Sequence, residues 1–202
     1  MEFSEGNLPI RYLGISLVVS KLHHSNCKEL VERLMKRLSS WLCNSHSFRG
    51  KMQLKTSTLF SLHVFWCRTF ILPMAVIKQC ESIIRSFLWF GLGDARTAGK
   101  VAWNKVCKPK AEGGLGIKNL RTWNKAAILE HGWDIIQRKN SMWVNWCYQV
   151  LLKGKNFWAV RVTSQCSWQW RKVLQLREAL TQKLVFNIRD GHNLSLWFDP
   201  WL

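Results

Sequence analysis

The chain has 202 residues, 48% of them hydrophobic, enough for one sizeable core or two small ones. Its 30 Lys and Arg against 12 Asp and Glu leave a formal charge of +18. That imbalance excludes an ordinary near-neutral surface, because such a charge attracts polyanions and repels itself when none is bound.

The acids are also unevenly placed. Eight Lys or Arg and no acid lie between Glu32 and Glu81, and the same holds between Asp134 and Glu178. Salt-bridge-laced helices alternate sign instead. The seven cysteines form no C-x-x-C pair, and no secretory pattern is evident. Reduced thiols and an intracellular location, nuclear or cytoplasmic rather than secreted, are expected. The most apolar stretch, 59–77, is broken by Ser61, His63, Arg68 and Pro73, so no membrane partner is expected.

In chain order, residues 8–17 read as extended, with Gly14 supplying a bend. A helix should begin near Asn26, whose spacing to Glu29 is that of a capping box. Its stripe is Leu30, Val31, Leu34, Met35, Leu38, Trp41 and Leu42. Glu29 to Arg33 and Glu32 to Lys36 add support on the wet face. After a break at Gly50, a second helix from Lys51 to about Leu72 is ended by Pro73. A third carries Val76, Ile77, Cys80, Ile83, Ile84, Phe87 and Leu88, with Gly91 and Gly93 closing it.

Residues 94–118 are polar, basic and glycine-bearing, and read as a loop with one helical turn near Trp103. Helices are expected at about 119–139, 141–152 and 168–183. At the end, Leu184, Phe186 and Ile188, then Leu194, Leu196 and Phe198, alternate around Asp190-Gly191 as a β-hairpin.

Chemistry is mostly looked for in vain. Two-metal nucleotidyl transfer needs converging carboxylates. The four aspartates, Asp94, Asp134, Asp190 and Asp199, are scattered, and in the hairpin Asp190 and Asp199 would lie on the order of 25 Å apart. His24, Cys27, Cys43 and His46 mimic a zinc finger, but the helix between them would rise ~24 Å. Gly113-Gly114-Leu115-Gly116 lacks the Lys-Ser/Thr of a P-loop and reads as a tight turn. No catalytic residue, metal or cofactor is expected.

Of the thirteen tryptophans, Trp41, Trp66 and Trp133 fall on apolar helix faces and read as core. Trp103, Trp168 and Trp170 neighbour Lys100, Lys105, Arg171 and Lys172, where a ring could stack on an unpaired base.

Several blocks taken in order resemble the region following the polymerase palm in plant LINE-type (non-LTR) retrotransposon reverse transcriptases. Leu8-Pro9-Ile10-Arg11-Tyr12-Leu13-Gly14-Ile15 is similar to the L-P-x-x-Y-L-G segment likened to a primer grip. Phe48-Arg49-Gly50-Lys51 resembles the stretch opening the next thumb helix, with Lys51 in place of the usual arginine. Leu72-Pro73, Phe87-Leu88-Trp89-Phe90-Gly91, and the block from Val101 to Ile117 follow. Trp168-Gln169-Trp170-Arg171 and Asp190-Gly191 with Trp197-Phe198-Asp199-Pro200-Trp201 complete the series.

The resemblance implies a thumb and connecting region that grips template–primer nucleic acid, without the paired aspartates of a palm. The expected architecture is mainly α. An extended primer-grip-like segment (1–24) leads to a three-helix thumb-like bundle (25–93), then a basic connecting region with helices and the C-terminal hairpin (94–202). The expected contacts are Arg11, Tyr12, Gly14, Arg49, Lys51, Lys55, Lys100, Trp103, Lys105, Lys108, Lys110, Arg171 and Lys172.

The expected partners are RNA, DNA or an RNA–DNA hybrid, bound with little regard to sequence, and a palm domain in a longer polyprotein. The protein is expected not to be an enzyme by itself. The alternatives are a vestigial or protein-interaction helical module without nucleic-acid affinity and, more remotely, a basic amphipathic protein on anionic lipid.

Overall fold

A computed structural model describes residues 10–12, 15–17, 21–42, 50, 53, 60–89, 101–185 and 195–200. It divides into two compact units, Met1–Lys125 and Ala126–Leu202. The described residues are mainly helical, as the apolar periodicities require.

In the first unit, β1 (Ile10–Tyr12) and β2 (Ile15–Leu17) pair antiparallel, Ile10 opposite Leu17 and Tyr12 opposite Ile15. Ile15 is buried. The extended reading therefore holds for these residues. A 3-10 turn, His24–Cys27, leads directly into α1, Lys28–Leu42. The expected cap differs: the Asn26 side chain accepts from the His23 N–H at 3.1 Å, bracing the 3-10 turn instead of capping α1 with Glu29. Glu29 pairs with Arg33, as its spacing predicts.

Leu30, Val31, Leu34 and Leu38 make the buried face of α1, each stabilising the fold by roughly 1.5–3 kcal/mol. Against it pack α2, Phe60–Thr69, and α3, Met74–Trp89. The stripe of α3 buries Val76, Ile77, Cys80, Ile84, Phe87 and Leu88, close to the expected set. Gly50 and Gln53 are helical, while most of the intervening stretch lies outside the described residues.

The second helix stops at Thr69, three residues before the expected end. The cause is Asn124, buried to 1% exposure on a later helix, α5 (Leu120–Ile136; α4 is described below). Its Nδ2 donates to the carbonyls of Cys67 and Phe70 at 2.9 and 2.7 Å, and its Oδ1 accepts from the Leu72 N–H at 2.8 Å. One side chain thus satisfies the backbone groups that the departing chain leaves open.

In the second unit, the later turns of α5 bury Ala127, Ile128 and Ile135. Trp133, expected in the core, is 38% exposed. At about 100° per residue it falls away from the Ile128–Ile135 face. Helix α6, Met142–Trp146, is capped by Ser141, whose Oγ accepts from the Val144 N–H at 3.3 Å. It widens into a π-helix, Cys147–Leu152, closed by Lys153 and Gly154 at φ 49° and 78°.

Helix α7, Trp168–Thr181, is capped by Ser167 and buries Trp170, Val173 and Leu174. Gly132 lets α5 approach this layer: a Cβ there would stand 3.0 Å from Leu180. Arg177 donates to the carbonyls of Phe157 and Val160 at 2.9 and 2.7 Å, fixing the irregular link before α7.

The expected C-terminal hairpin is not confirmed. Residues 186–194 lie outside the described residues, and Leu196–Phe198 form a turn closed by Asp199 N–H to Ser195 O at 3.1 Å. Among the described residues, no helix is long and apolar enough to cross a membrane.

Candidate nucleic-acid interface

The basic segment is an ordered turn anchored at both ends. Helix α4, Trp103–Val106, is one turn long, with Ala102 O accepting from the Lys105 and Val106 N–H groups. Val106 and Ile117 are buried with Leu88, and Trp89, Trp103, Cys107 and Leu115 pack around them. Between these anchors the chain leaves the core and returns. Leu115 N–H donates to Val106 O at 3.0 Å and Gly116 N–H to Lys108 O at 2.9 Å.

The glycines are what permit this path. Gly113 and Gly116 sit at φ 78° and 67°, in the left-handed region. A Cβ on Gly114 would lie 2.1 Å from the Lys108 carbonyl oxygen, a separation no side chain can occupy. The cluster is a tight turn, as its lack of P-loop residues predicts. Its consequence is electrostatic: Lys105, Lys108 and Lys110 stand exposed on a frame that hydrophobic anchors hold in place. Lys108 and Glu112 approach to 3.7 Å, an exposed pair worth no more than about 1 kcal/mol.

Other nominated residues fall elsewhere. Trp103 is half-buried in the cluster, with the Arg85 guanidinium 5.5 Å from its ring. Arg171 donates to Ser164 O at 2.8 Å, tying down the link before α7. Lys172 lies 4.5 Å over the Trp168 ring and donates to Gln175 at 2.8 Å, while Trp170 is buried against Phe157. Arg11 and Tyr12 lie on β1. Gly14, Arg49, Lys51, Lys55 and Lys100 are outside the described residues.

The sequence reading missed a cleft of about 580 Å³ in the second unit, lined in part by Arg138, Asn145, Tyr148, Lys155, Trp158 and Asp199. One signal was available: Gly154 marks the end of the α6–π-helix segment.

Burial sets the character of the thiols. It raises Cys27 and Cys147 to about 11 and Cys67 and Cys80 to about 12, so all four stay protonated and unreactive at neutral pH. Cys27 also raises Cys80, and Cys80 raises Cys67, each by charge repulsion. Among the described residues, no group of three or more His, Cys, Asp or Glu could hold a metal ion. Asp134 pairs with Lys139 at 3.1 Å, and Asp199 accepts from Asn156 and from the Ser195 N–H.

Two proteins of Arabidopsis thaliana are similar to this chain. One is named "Putative ribonuclease H protein", 32% identical over 181 residues that cover 86% of this chain and 28% of the relative. The other is named "Uncharacterized mitochondrial protein", 27% identical over 143 residues that cover 70% of this chain and 93% of the relative. The chain therefore spans under a third of the first relative and nearly all of the second. No family model matches the chain. No solved structure matches it either. The shared sequence establishes kinship with plant proteins, one of which bears a nuclease name.

Proposed function

We propose that this chain is a retroelement-derived segment, corresponding to the thumb and connecting region of a LINE-type reverse transcriptase, that holds template–primer nucleic acid without catalysing its synthesis. The observation that carries the reading is the basic turn, where Lys105, Lys108 and Lys110 are held outward by the buried anchors Val106 and Ile117. A flexible tail would serve mere solubility, whereas a braced array of cations suits the fixed spacing of phosphates. The charge of +18 and a relative named "Putative ribonuclease H protein" agree with it.

Arg11, Tyr12, Gly14, Arg49, Lys51, Lys55 and Lys100 extend the proposed contacts. Trp103 and Arg171 contribute instead by holding the fold. A palm domain, carrying the metal-binding carboxylates, would belong to a longer polypeptide.

Affinity for single strands, duplex DNA and an RNA–DNA hybrid should fall steeply with salt, by ~0.9 log units per log salt for each phosphate neutralised on a duplex. The Lys105→Ala, Lys108→Ala, Lys110→Ala triple variant should flatten that slope by up to about 3. No binding in dilute buffer, or a slope that ignores the three lysines, sinks the assignment. Primer extension by the chain alone with magnesium and nucleotides would refute its non-catalytic half.

One observation favours a second reading, a protein-interaction or vestigial module. Met142, Trp146 and Val150, spaced four apart, are 90%, 49% and 44% exposed, and Trp143 stands beside them. Such apolar surface commonly marks a contact with another polypeptide. Absence of polynucleotide affinity together with self-association would select it.

A further inference from the structure

The cleft of the second unit combines features that a chance surface groove does not need. Part of its wall, Tyr148 and Gln149, comes from a π-helix, a form concentrated at functional sites. Arg138 and Lys153, at φ 48° and 49°, are the described non-glycine residues in the left-handed region; Arg138 lines the cleft, and Lys153 directly precedes its lining residue Gly154. Backbone strain of this kind persists where surrounding structure enforces it.

The chemistry inside is specific. Tyr148 donates its hydroxyl to Ile135 O at 2.9 Å, which locks the ring, and the Arg138 guanidinium lies 5.6 Å from that ring. Stacking uses the face of a guanidinium, whereas oxyanions are gripped by its in-plane N–H groups. Lys155 is exposed at the rim. The acid lining the cleft, Asp199, is already engaged: Oδ1 accepts from Asn156 Nδ2 at 3.0 Å and Oδ2 from the Ser195 N–H at 2.6 Å. Asn156 in turn accepts from the Trp158 N–H at 2.8 Å, fixing the start of the segment that carries the Trp158 ring.

Two cations against one occupied acid disfavour a metal ion and favour an anion. Tyr148 and Trp158 favour a ligand that also carries a flat ring. The volume, about 580 Å³, falls within the roughly 300–1,000 Å³ of small-ligand sites.

We propose that this cleft binds a nucleoside phosphate: Arg138 and Lys155 take the phosphate, and the base lies against Tyr148 and Trp158. The source is an unpaired nucleotide of a strand or a free mononucleotide. The strand source rests on the nucleic-acid reading above, whereas the mononucleotide source does not.

The test uses the full chain with a short single-stranded oligonucleotide carrying a photoreactive 5-bromouracil, followed by peptide mapping. A crosslink at Tyr148 or Trp158 is expected. Lys155→Glu, a rim substitution with little bearing on folding, should weaken binding about tenfold, as should Arg138→Ala. Circular dichroism confirms that each variant is folded.

Displacement of the crosslink by adenosine monophosphate, but not by equal inorganic phosphate, supports the assignment. Equal displacement by phosphate alone overturns it, reducing the cleft to an anion hole. Wild-type binding with crosslinks confined to the basic turn and unaltered affinity of Lys155→Glu overturns the cleft site while leaving the basic turn standing. Failure of every polynucleotide to bind, with adenosine monophosphate still taken up in a manner sensitive to Lys155→Glu, would sink the strand-holding function alone.

Discussion

The two units reverse their chain by opposite means. In the first, the reversals cost little: Asn124 supplies three hydrogen bonds where α2 gives way to α3, and Gly113 and Gly116 adopt left-handed conformations that suit glycine. In the second, Arg138 and Lys153 adopt the same region with full side chains. In the basic turn, glycines and buried anchors set the backbone path, and the exposed lysines it carries outward take no part in that strain. In the second unit, geometry and side chain are bound together at Arg138, which is both strained and part of the cleft's lining.

Substitutions can break this contrast at its strongest point first. Asn124→Ala strands two carbonyls and one N–H in the core, and should cost about 3 kcal/mol or more in denaturant unfolding. A loss below about 1 kcal/mol would mean that water replaces the amide. Gly114→Ala must push the Lys108 carbonyl aside and should cost about 2 kcal/mol, with salt-dependent binding impaired alongside. Lys153→Gly should run the other way, gaining up to about 1 kcal/mol as left-handed strain is relieved. A destabilised Lys153→Gly variant would show that its side chain, not its backbone, is what the second unit needs.

A milder effect comes from pH. The folded chain keeps Cys27, Cys67, Cys80 and Cys147 protonated up to about 11 or 12, whereas the unfolded chain ionises them near 9. Their contribution is therefore complete below about pH 9 and drains away as the pH climbs towards 12. Urea midpoints compared at neutral and alkaline pH should show this decline, and Cys80→Ala should shrink it.

The sequence made α1 and α3 legible because each carries one clean apolar stripe. The tight turn at Gly113 to Gly116 was legible too, since the absence of P-loop partners left little else for those glycines to do. The end of α2 was misplaced because Pro73 is a local stop signal, while the real cause, Asn124, acts from 52 residues away. Trp133 was misjudged because α5 is apolar on several sides, so no single stripe names the inward face. Arg171 reads as a cation beside aromatics, yet its partner is a main-chain oxygen that composition does not reveal. The cleft was missed for a similar reason: Gly154 marks where the helical segment ends, but a π-helix has no residue signature of its own.

The pattern of thiol burial has a practical consequence. Cys107 in the first unit and Cys166 in the second are half-buried, unlike the four sealed cysteines. Among the described residues, a maleimide dye should therefore settle first on these two natural handles. Each would report on its own half of the polypeptide during refolding or ligand titration, with no engineered cysteine required.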